Sequence, residues 1–356
     1  MDSKADCRDG HHSEHARMRA PLQSPDGSIM KSLLRLVLFS IALAGIGATA
    51  NALAQGYPSK PLRLIVPFPP GGPTDVFARQ YASRLAAVLG QPVVIDNKSG
   101  AGGAIGAVEV KKSDPDGYTL LFGSASNLGL YNLMSSTPLY DALKDFVHVA
   151  SLGGAPAVFA VNPSMPQTLK GVVEMARAKP GSIQYGSPGQ GTYLHLAAER
   201  LKQEAGNIDI QHIPFRGSAQ TLTALLGGQV GMTVETLGTV LAGHRAGILR
   251  IVAVASPKRS PLVPEVPTVD EAIGTKGFDA VLWNVVAAPA GTPAAILNVL
   301  AAATGKVLAD PTLNEQLGKL GIQPTTESSP AAATAYIRTE IEKWRPVVEA
   351  TGIRIQ

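Results

Sequence analysis

Leu62-Arg63-Leu64-Ile65-Val66-Pro67-Phe68-Pro69-Pro70-Gly71-Gly72-Pro73-Thr74-Asp75 runs from an apolar stretch through a Pro/Gly loop into a segment of helical periodicity. It reads as strand, glycine-rich loop and helix N-terminus. Tyr185-Gly186-Ser187-Pro188-Gly189-Gln190-Gly191-Thr192 has the same design and also opens into a helical segment. Glycine lets backbone N–H groups come close to a ligand. A helix start leaves N–H donors unpaired and partly positive, which suits phosphate, sulfate or carboxylate. One such junction is explained by turn and cap chemistry alone. The pair predicts a cleft that closes on an anion from both sides.

Strand-like and helix-like runs alternate outward from the first loop. Leu62–Val66, Val93–Ile95 and Tyr118–Phe122 read as strands, with helices over Asp75–Leu89 and Gly103–Lys112 between them. Phe77, Tyr81, Leu85 and Val88 form the apolar face of the first helix. The pattern restarts at Ala157–Val161, with strands at Ile183–Tyr185, Ile210–Ile213, Val230–Val234 and Ile248–Ala255, and helices at Leu169–Ala178, Thr192–Ala205 and Ala219–Leu226. Val281–Ala287 then leads into helices over Pro293–Ala309, Pro311–Leu320 and Ala331–Ala350. This rhythm predicts an α/β protein of two lobes, each a mostly parallel sheet flanked by helices. Residues 55–156 and 284–356 form one lobe, and 157–283 the other.

The N-terminus carries an address. Lys31 and Arg35 precede a run from Leu36 to Ala50 without charge, and Ala52-Leu53-Ala54 fits a small-x-small cleavage site. Residues 30–54 read as a secretory signal peptide, with Met30 as the natural start and 1–29 as an over-called or disordered extension. The mature chain is expected to be periplasmic. It lacks cysteine, because the single one, Cys7, precedes the signal, so disulfides, thiol nucleophiles and cysteine metal sites are excluded. From residue 55 there are 25 Lys+Arg against 22 Asp+Glu, a balance too even and too scattered to indicate nucleic acid.

No G-x-x-x-x-G-K-[ST], G-x-S-x-G or H-E-x-x-H sequence occurs. In Gly100–Gly106, Ile105 stands where a dinucleotide fingerprint needs glycine. The chain is therefore read as a binding protein rather than an enzyme, without cofactor. Candidate ligand-binding residues in the first loop are Phe68, Pro70, Gly71, Gly72, Thr74 and Asp75, with helix capping the leading role of the last two. Ser124, Ser126 and Asn127 follow a strand end, where open α/β sheets place ligands, and turn chemistry explains them as well. The second loop offers Gly189, Gln190, Gly191, Thr192 and His195. Arg216, Gly217 and Ser218 lie on a strand-to-helix turn, and Arg216 suits a carboxylate or, equally, a solvated surface position. Glu235 follows a buried-looking strand and suits an ammonium or hydroxyl group, or a structural role. His195 and Glu199 share a helical face, but no third ligand accompanies them, so no metal is expected. Trp283 is a candidate pocket aromatic or plain core.

Several further stretches accompany the two loops in fixed order: Gly100-Ala101-Gly102-Gly103, Pro115-Asp116-Gly117-Tyr118, Pro214-Phe215-Arg216-Gly217-Ser218, Leu226-Gly227-Gly228-Gln229, Val266-Pro267-Thr268 and Ala288-Pro289-Ala290-Gly291-Thr292-Pro293. Over essentially the whole mature chain this series resembles the substrate-binding receptors of tripartite tricarboxylate transporters, the Bug family. The resemblance implies a periplasmic, monomeric, type II-like binding protein. Its ligand would be a small carboxylate held by backbone N–H groups of Pro70–Asp75 and Ser187–His195, then passed to a two-component membrane permease. Tyr193-Leu194, Glu235-Thr236 and Lys98-Ser99 depart from the family's usual residues, the first two where ligand identity is expected to be set. An exported sensor for the same kind of ligand fits the same residues. A hydrolase with an anion cleft fits only the loops.

Overall fold

The computed structural model describes residues 56–325 and 327–355. The expected extension 1–29 and signal peptide 30–54 lie outside them. Among the described residues no helix is long and apolar enough to cross a membrane.

The first half of the fold opens with β1 (Leu62–Val66), α1 (Pro73–Leu89), β2 (Val93–Asn97), α2 (Ala104–Lys111) and β3 (Thr119–Ser124). β1 pairs in parallel with β2 and β3. Phe77, Tyr81 and Leu85 are buried as their spacing requires, whereas Val88 points outward. A π-helical turn, Ala125–Leu130, continues directly into α3 (Tyr131–Met134).

β4 (Phe146–Val161) is the longest strand and joins the two lobes. Its first part, to Pro156, pairs antiparallel with β9 (Val281–Pro289), and its last part, Ala157–Val161, pairs antiparallel with β7 (Met232–Thr236) and β8 (Arg250–Val254). Only that last part is evident from sequence. In the second lobe α4 (Leu169–Ala178) leads to β5 (Gln184–Ser187), α5 (Tyr193–Glu204), β6 (Gln211–Pro214), α6 (Ser218–Leu226) and, after β7, α7 (Leu237–Arg245). β5 runs parallel to β6 and β7. The strand order is β2-β1-β3-β9-β4-β7-β5-β6, with β8 and the short β10 (Gln323–Pro324) also on β4. Parallel pairs thus occupy both ends, and β4 and β9 bring the antiparallel ones where the chain crosses between lobes.

After β8 come α8 (Val269–Ile273) and β9, then α9 (Ala294–Leu308), α10 (Pro311–Lys319) and α11 (Pro330–Thr351). The core of the first lobe packs β1, α1, β3 and β9 against α9 and α10, through residues such as Leu64, Tyr81, Phe122, Val286, Leu300 and Leu313. α11 reaches further than a first-lobe tail would. Its Trp344 meets Tyr193 of α5 edge to face, ring centroids 4.7 Å apart.

Three helix starts around one cavity

A cavity of about 220 Å³ lies between the lobes. The first lobe contributes Phe68, Pro69, Pro70, Gly72, Pro73, Thr74 and Ser126 to its wall, and β9, where the chain crosses between the lobes, contributes Leu282. The second lobe contributes Pro188, Thr192, Leu194, Arg216, Gly217, Ser218, Ala219 and Gln220. The starts of α1, α5 and α6 therefore converge on one space. First-turn N–H groups have no acceptor within their own helix. Those of Thr74, Leu194, Ser218 and Ala219 find none elsewhere among the described residues. Among the described residues the wall contains no Asp or Glu, and the one charged side chain in it, the exposed Arg216, is a cation. Such a space favours an anion.

The lobes touch around this cavity. Tyr193 N–H donates to Ser126 Oγ across the cleft at 2.9 Å. A Cβ on Gly217 would lie 3.4 Å from Pro69 Cγ, and one on Gly102 3.6 Å from the Gly191 carbonyl oxygen. The space is below the ~300–1,000 Å³ of sites for drug-sized ligands, so it suits a compact molecule.

Nine of the eighteen candidate ligand-binding residues line the cavity: Phe68, Pro70, Gly72, Thr74, Ser126, Thr192, Arg216, Gly217 and Ser218. The other nine are not in its wall, and several hold it in shape. Asp75 is buried and turned away. Its Oδ2 accepts from Gly71 N–H (2.9 Å) and Arg79 Nε (2.8 Å), and its Oδ1 from Arg79 Nη2 (3.0 Å) and Asn97 Nδ2 (2.8 Å). Burial alone would raise the Asp75 pKa, but these hydrogen bonds outweigh it and hold the carboxyl below its ordinary value. Asn97 also donates to the Phe68 carbonyl at 3.0 Å. Helix α1 is capped by Gly72 backbone without a side-chain cap, so Thr74 does not cap it.

The second loop repeats this arrangement with different chemistry. Gly191 N–H donates to His195 Nδ1, four residues on, at 3.1 Å. Thr192 caps α5 through His195 N–H, and its hydroxyl donates to the Gly189 carbonyl. His195 stacks on His212, centroids 3.9 Å apart, and His212 stacks on Tyr185. Glu199 accepts from Tyr185 Oη and Lys202, so it forms no metal pair with His195. Among the described residues no metal-binding cluster occurs. Gln190 is exposed and outside the wall.

Ser124 and Asn127 cap the π-helical turn through each other, leaving Ser126 to face the cleft. Glu235 lies behind Ser218 and accepts from its hydroxyl at 2.8 Å. On β9 the side chains alternate: Leu282 faces the cavity, while Trp283 turns away and donates from Nε1 to Glu340. Leu282, Ala219 and Gln220 escape the sequence reading because a strand's phase and a third converging helix are set by tertiary packing. Leu194 carried a signal, as a departure within the second loop.

The histidine stack gives a testable pH dependence. Burial, then the neighbouring His212 and Lys202, lower the His195 pKa from 6.5 to about 3, and burial lowers His212 to about 4. The folded state therefore favours neutral rings. This stabilisation is complete above pH 6.5 and is lost as pH falls through the folded values. Urea unfolding at pH 7 and 4.5 should show His195 alone costing on the order of 2 kcal/mol at the lower pH. His195→Gln, whose amide oxygen can take the Gly191 bond, should remove that part. An identical acid profile in the variant would refute it.

A two-lobed α/β fold with a ligand-sized cleft between its lobes defines a solute-binding receptor. The tripartite tricarboxylate transporter family receptor matches residues 77–353, and the chain belongs to this family. It is a family of receptors, not enzymes. Among relatives, the chain is 38% identical to Protein BugT of Bordetella pertussis over 331 residues, 92% of this chain and 99% of that one. Among solved structures it resembles a periplasmic transporter (37% identity, TM-score 0.79, covering 84% of this chain and 99% of the other). An R. palustris protein with adipate is 33% identical with a TM-score of 0.79, over 84% and 99% of the two chains. MatC of Rhodopseudomonas palustris with bound malate is 30% identical with a TM-score of 0.77, over 82% and 100%.

Proposed function

We propose that this protein is a periplasmic receptor that binds a small carboxylate between its lobes and delivers it to a two-component membrane permease. The observation that carries this reading is the convergence of three helix N-termini on a wall with one exposed arginine and no acidic side chain. The adipate- and malate-bound relatives support a carboxylate ligand. Phe68, Leu194, Leu282 and the prolines give the rest of the wall an apolar character. The ligand is thus a compact acid with a hydrocarbon portion. Residues 55–156 with 284–356, and 157–283, act as the two closing lobes, and residues 30–54 direct export.

Thermal-shift measurement against a library of carboxylates, sugars and amino acids tests this directly. Compact carboxylates should stabilise the protein by about 2.7 kcal/mol at a hundredfold excess over Kd, and mass spectrometry should recover them unchanged. Stabilisation by neutral solutes alone, or recovery of a reaction product, would overturn the reading. Loss of growth on the identified acid when the permease is deleted tests delivery.

A further inference from the structure

Glu235 stands at the end of β7, fully buried, one residue removed from the cavity. Its Oε2 is 2.8 Å from Ser218 Oγ, and its Oε1 has no hydrogen-bond partner among the described residues. Ser218 is itself part of the cavity wall.

Charged and titratable groups on the surrounding elements are engaged elsewhere or exposed. Tyr185 of β5 donates to Glu199 of α5, and Lys202 pairs with the same carboxylate. Arg200 pairs with Glu204 on α5, and His195 accepts from Gly191. His244 of α7 meets Glu265, while Arg245, Arg250 of β8 and Arg216 before α6 are exposed. His148 of β4 bonds to Thr334 and the Ala142 carbonyl. Glu235 forms no ion pair among the described residues.

A buried carboxylate with one oxygen unpaired and no counter-charge is costly, and such a group takes up a proton instead. Burial pushes its pKa up to about 8, against the smaller opposing effects of Ser218 and the Thr236 backbone. The two protonation states present different faces to the cavity. A serine hydroxyl has one hydrogen and two acceptor lone pairs. When Glu235 is ionised, that hydrogen is spent on Oε2, and Ser218 shows the cavity only lone pairs backed by a negative charge. When Glu235 is neutral, its own proton bridges to Ser218 Oγ, and the serine hydrogen is free to point inward.

We infer that Glu235 is a specificity-determining positioning residue: as the neutral acid it turns Ser218 O–H into the cavity as a donor for the ligand's carboxylate, so anion binding requires one proton on Glu235. This rests on the carboxylate reading of the cavity. It also accounts for an acidic residue lying directly behind an anion site.

Calorimetric titration with adipate, malate and benzoate as probes, from pH 7 to 9.5, tests the inference. Affinity of the wild type should fall about tenfold between pH 7 and 9, and binding at pH 9 should take up one proton, read from the dependence of heat on buffer ionisation. Glu235→Gln can donate to Ser218 without titrating. It should bind within severalfold of wild type at pH 7 and lose the pH dependence. Wild-type affinity that is flat with pH, or an equal slope in Glu235→Gln, overturns the inference. If no probe binds the wild type at pH 7, the carboxylate reading itself falls and takes the inference with it. Should Glu235→Gln misfold, Ser218→Ala reads the same relay. About tenfold weaker binding at pH 7 with a shallower slope supports it, and wild-type values at both pH extremes refute it.

Discussion

Gly72→Val should weaken ligand binding at least about a hundredfold while leaving the protein folded. Gly72 has φ −75° and ψ 167°, a conformation open to any residue, and an added Cβ would meet only the Pro69 carbonyl oxygen, at 3.5 Å. It lies in the cavity wall at the start of α1. The two methyl groups of valine would stand where a carboxylate must come to reach the first-turn N–H groups. Each charge-assisted hydrogen bond lost is worth about 1.5–3 kcal/mol, or roughly ten- to a hundredfold in affinity, and the N–H groups of Thr74 and Asp75, both without an acceptor among the described residues, are at stake. Calorimetric titration reads the loss, and circular dichroism reads the fold. Wild-type affinity in a folded Gly72→Val protein would show that the first loop does not approach the ligand. Gly191, which looks equivalent in sequence, is not a clean counterpart. It has φ +71°, a Cβ would sit 2.6 Å from Ile355 Cγ2, and its N–H is already taken by His195. Gly191→Val should strain the backbone and lower stability, so any loss of binding there would follow from the damaged loop.

The contrast between these glycines shows how far the sequence can be read. Strand–loop–helix succession is legible because hydrophobic period, proline, glycine and cap residues are local signals. That is why the two loops and most of the helices are evident without coordinates. The first half of β4 is not, because Gly153-Gly154-Ala155-Pro156 has the composition of a turn. Its glycines are instead demanded by neighbours. A Cβ at Gly154 would lie 2.4 Å from the Leu282 carbonyl oxygen, and one at Gly153 would run into the backbone of β10. Side-chain direction is a second limit. Asp75 and His195 sit four residues beyond loop glycines, a spacing visible in the chain, but only the folded loops show both turned back onto those N–H groups. Trp283 and Leu282 differ by one step of strand alternation, which no local signal phases. Asn97 closes its hydrogen bonds to loop and helix across 29 and 22 residues, so its part in the site is purely tertiary.

Asp75→Ala should be the most damaging single change behind the cavity wall, although Asp75 is outside that wall. The substitution removes the acceptor for Gly71 N–H, for both Arg79 donors and for Asn97 Nδ2 at once. Arg79 is about half exposed and can turn to water, so its ion pair contributes little of the cost. The cost lies in the Gly71 amide and in one of the two Asn97 amide donors, the other keeping the Phe68 carbonyl, with each lost bond to the carboxylate worth about 1–3 kcal/mol. Stability should therefore fall by about 2–4 kcal/mol. Loop 68–72 should also lose the shape that presents the α1 start, so affinity should fall with it. Asp75→Asn separates charge from geometry. Oδ1 can still accept from Asn97 and Arg79, while the new amide faces the Gly71 N–H, so its loss should be intermediate. The acid response gives an independent reading. The Asp75 carboxyl titrates below its ordinary 3.8 in the folded protein. Its stabilisation is complete above that value and disappears as pH falls through the folded pKa. Wild type should show this loss below pH 4, overlapping the acid end of the window assigned to His195, and Asp75→Ala should not. Unfolding curves for Asp75→Ala that match wild type at both neutral and acid pH would mean that the loop holds its shape without this carboxylate.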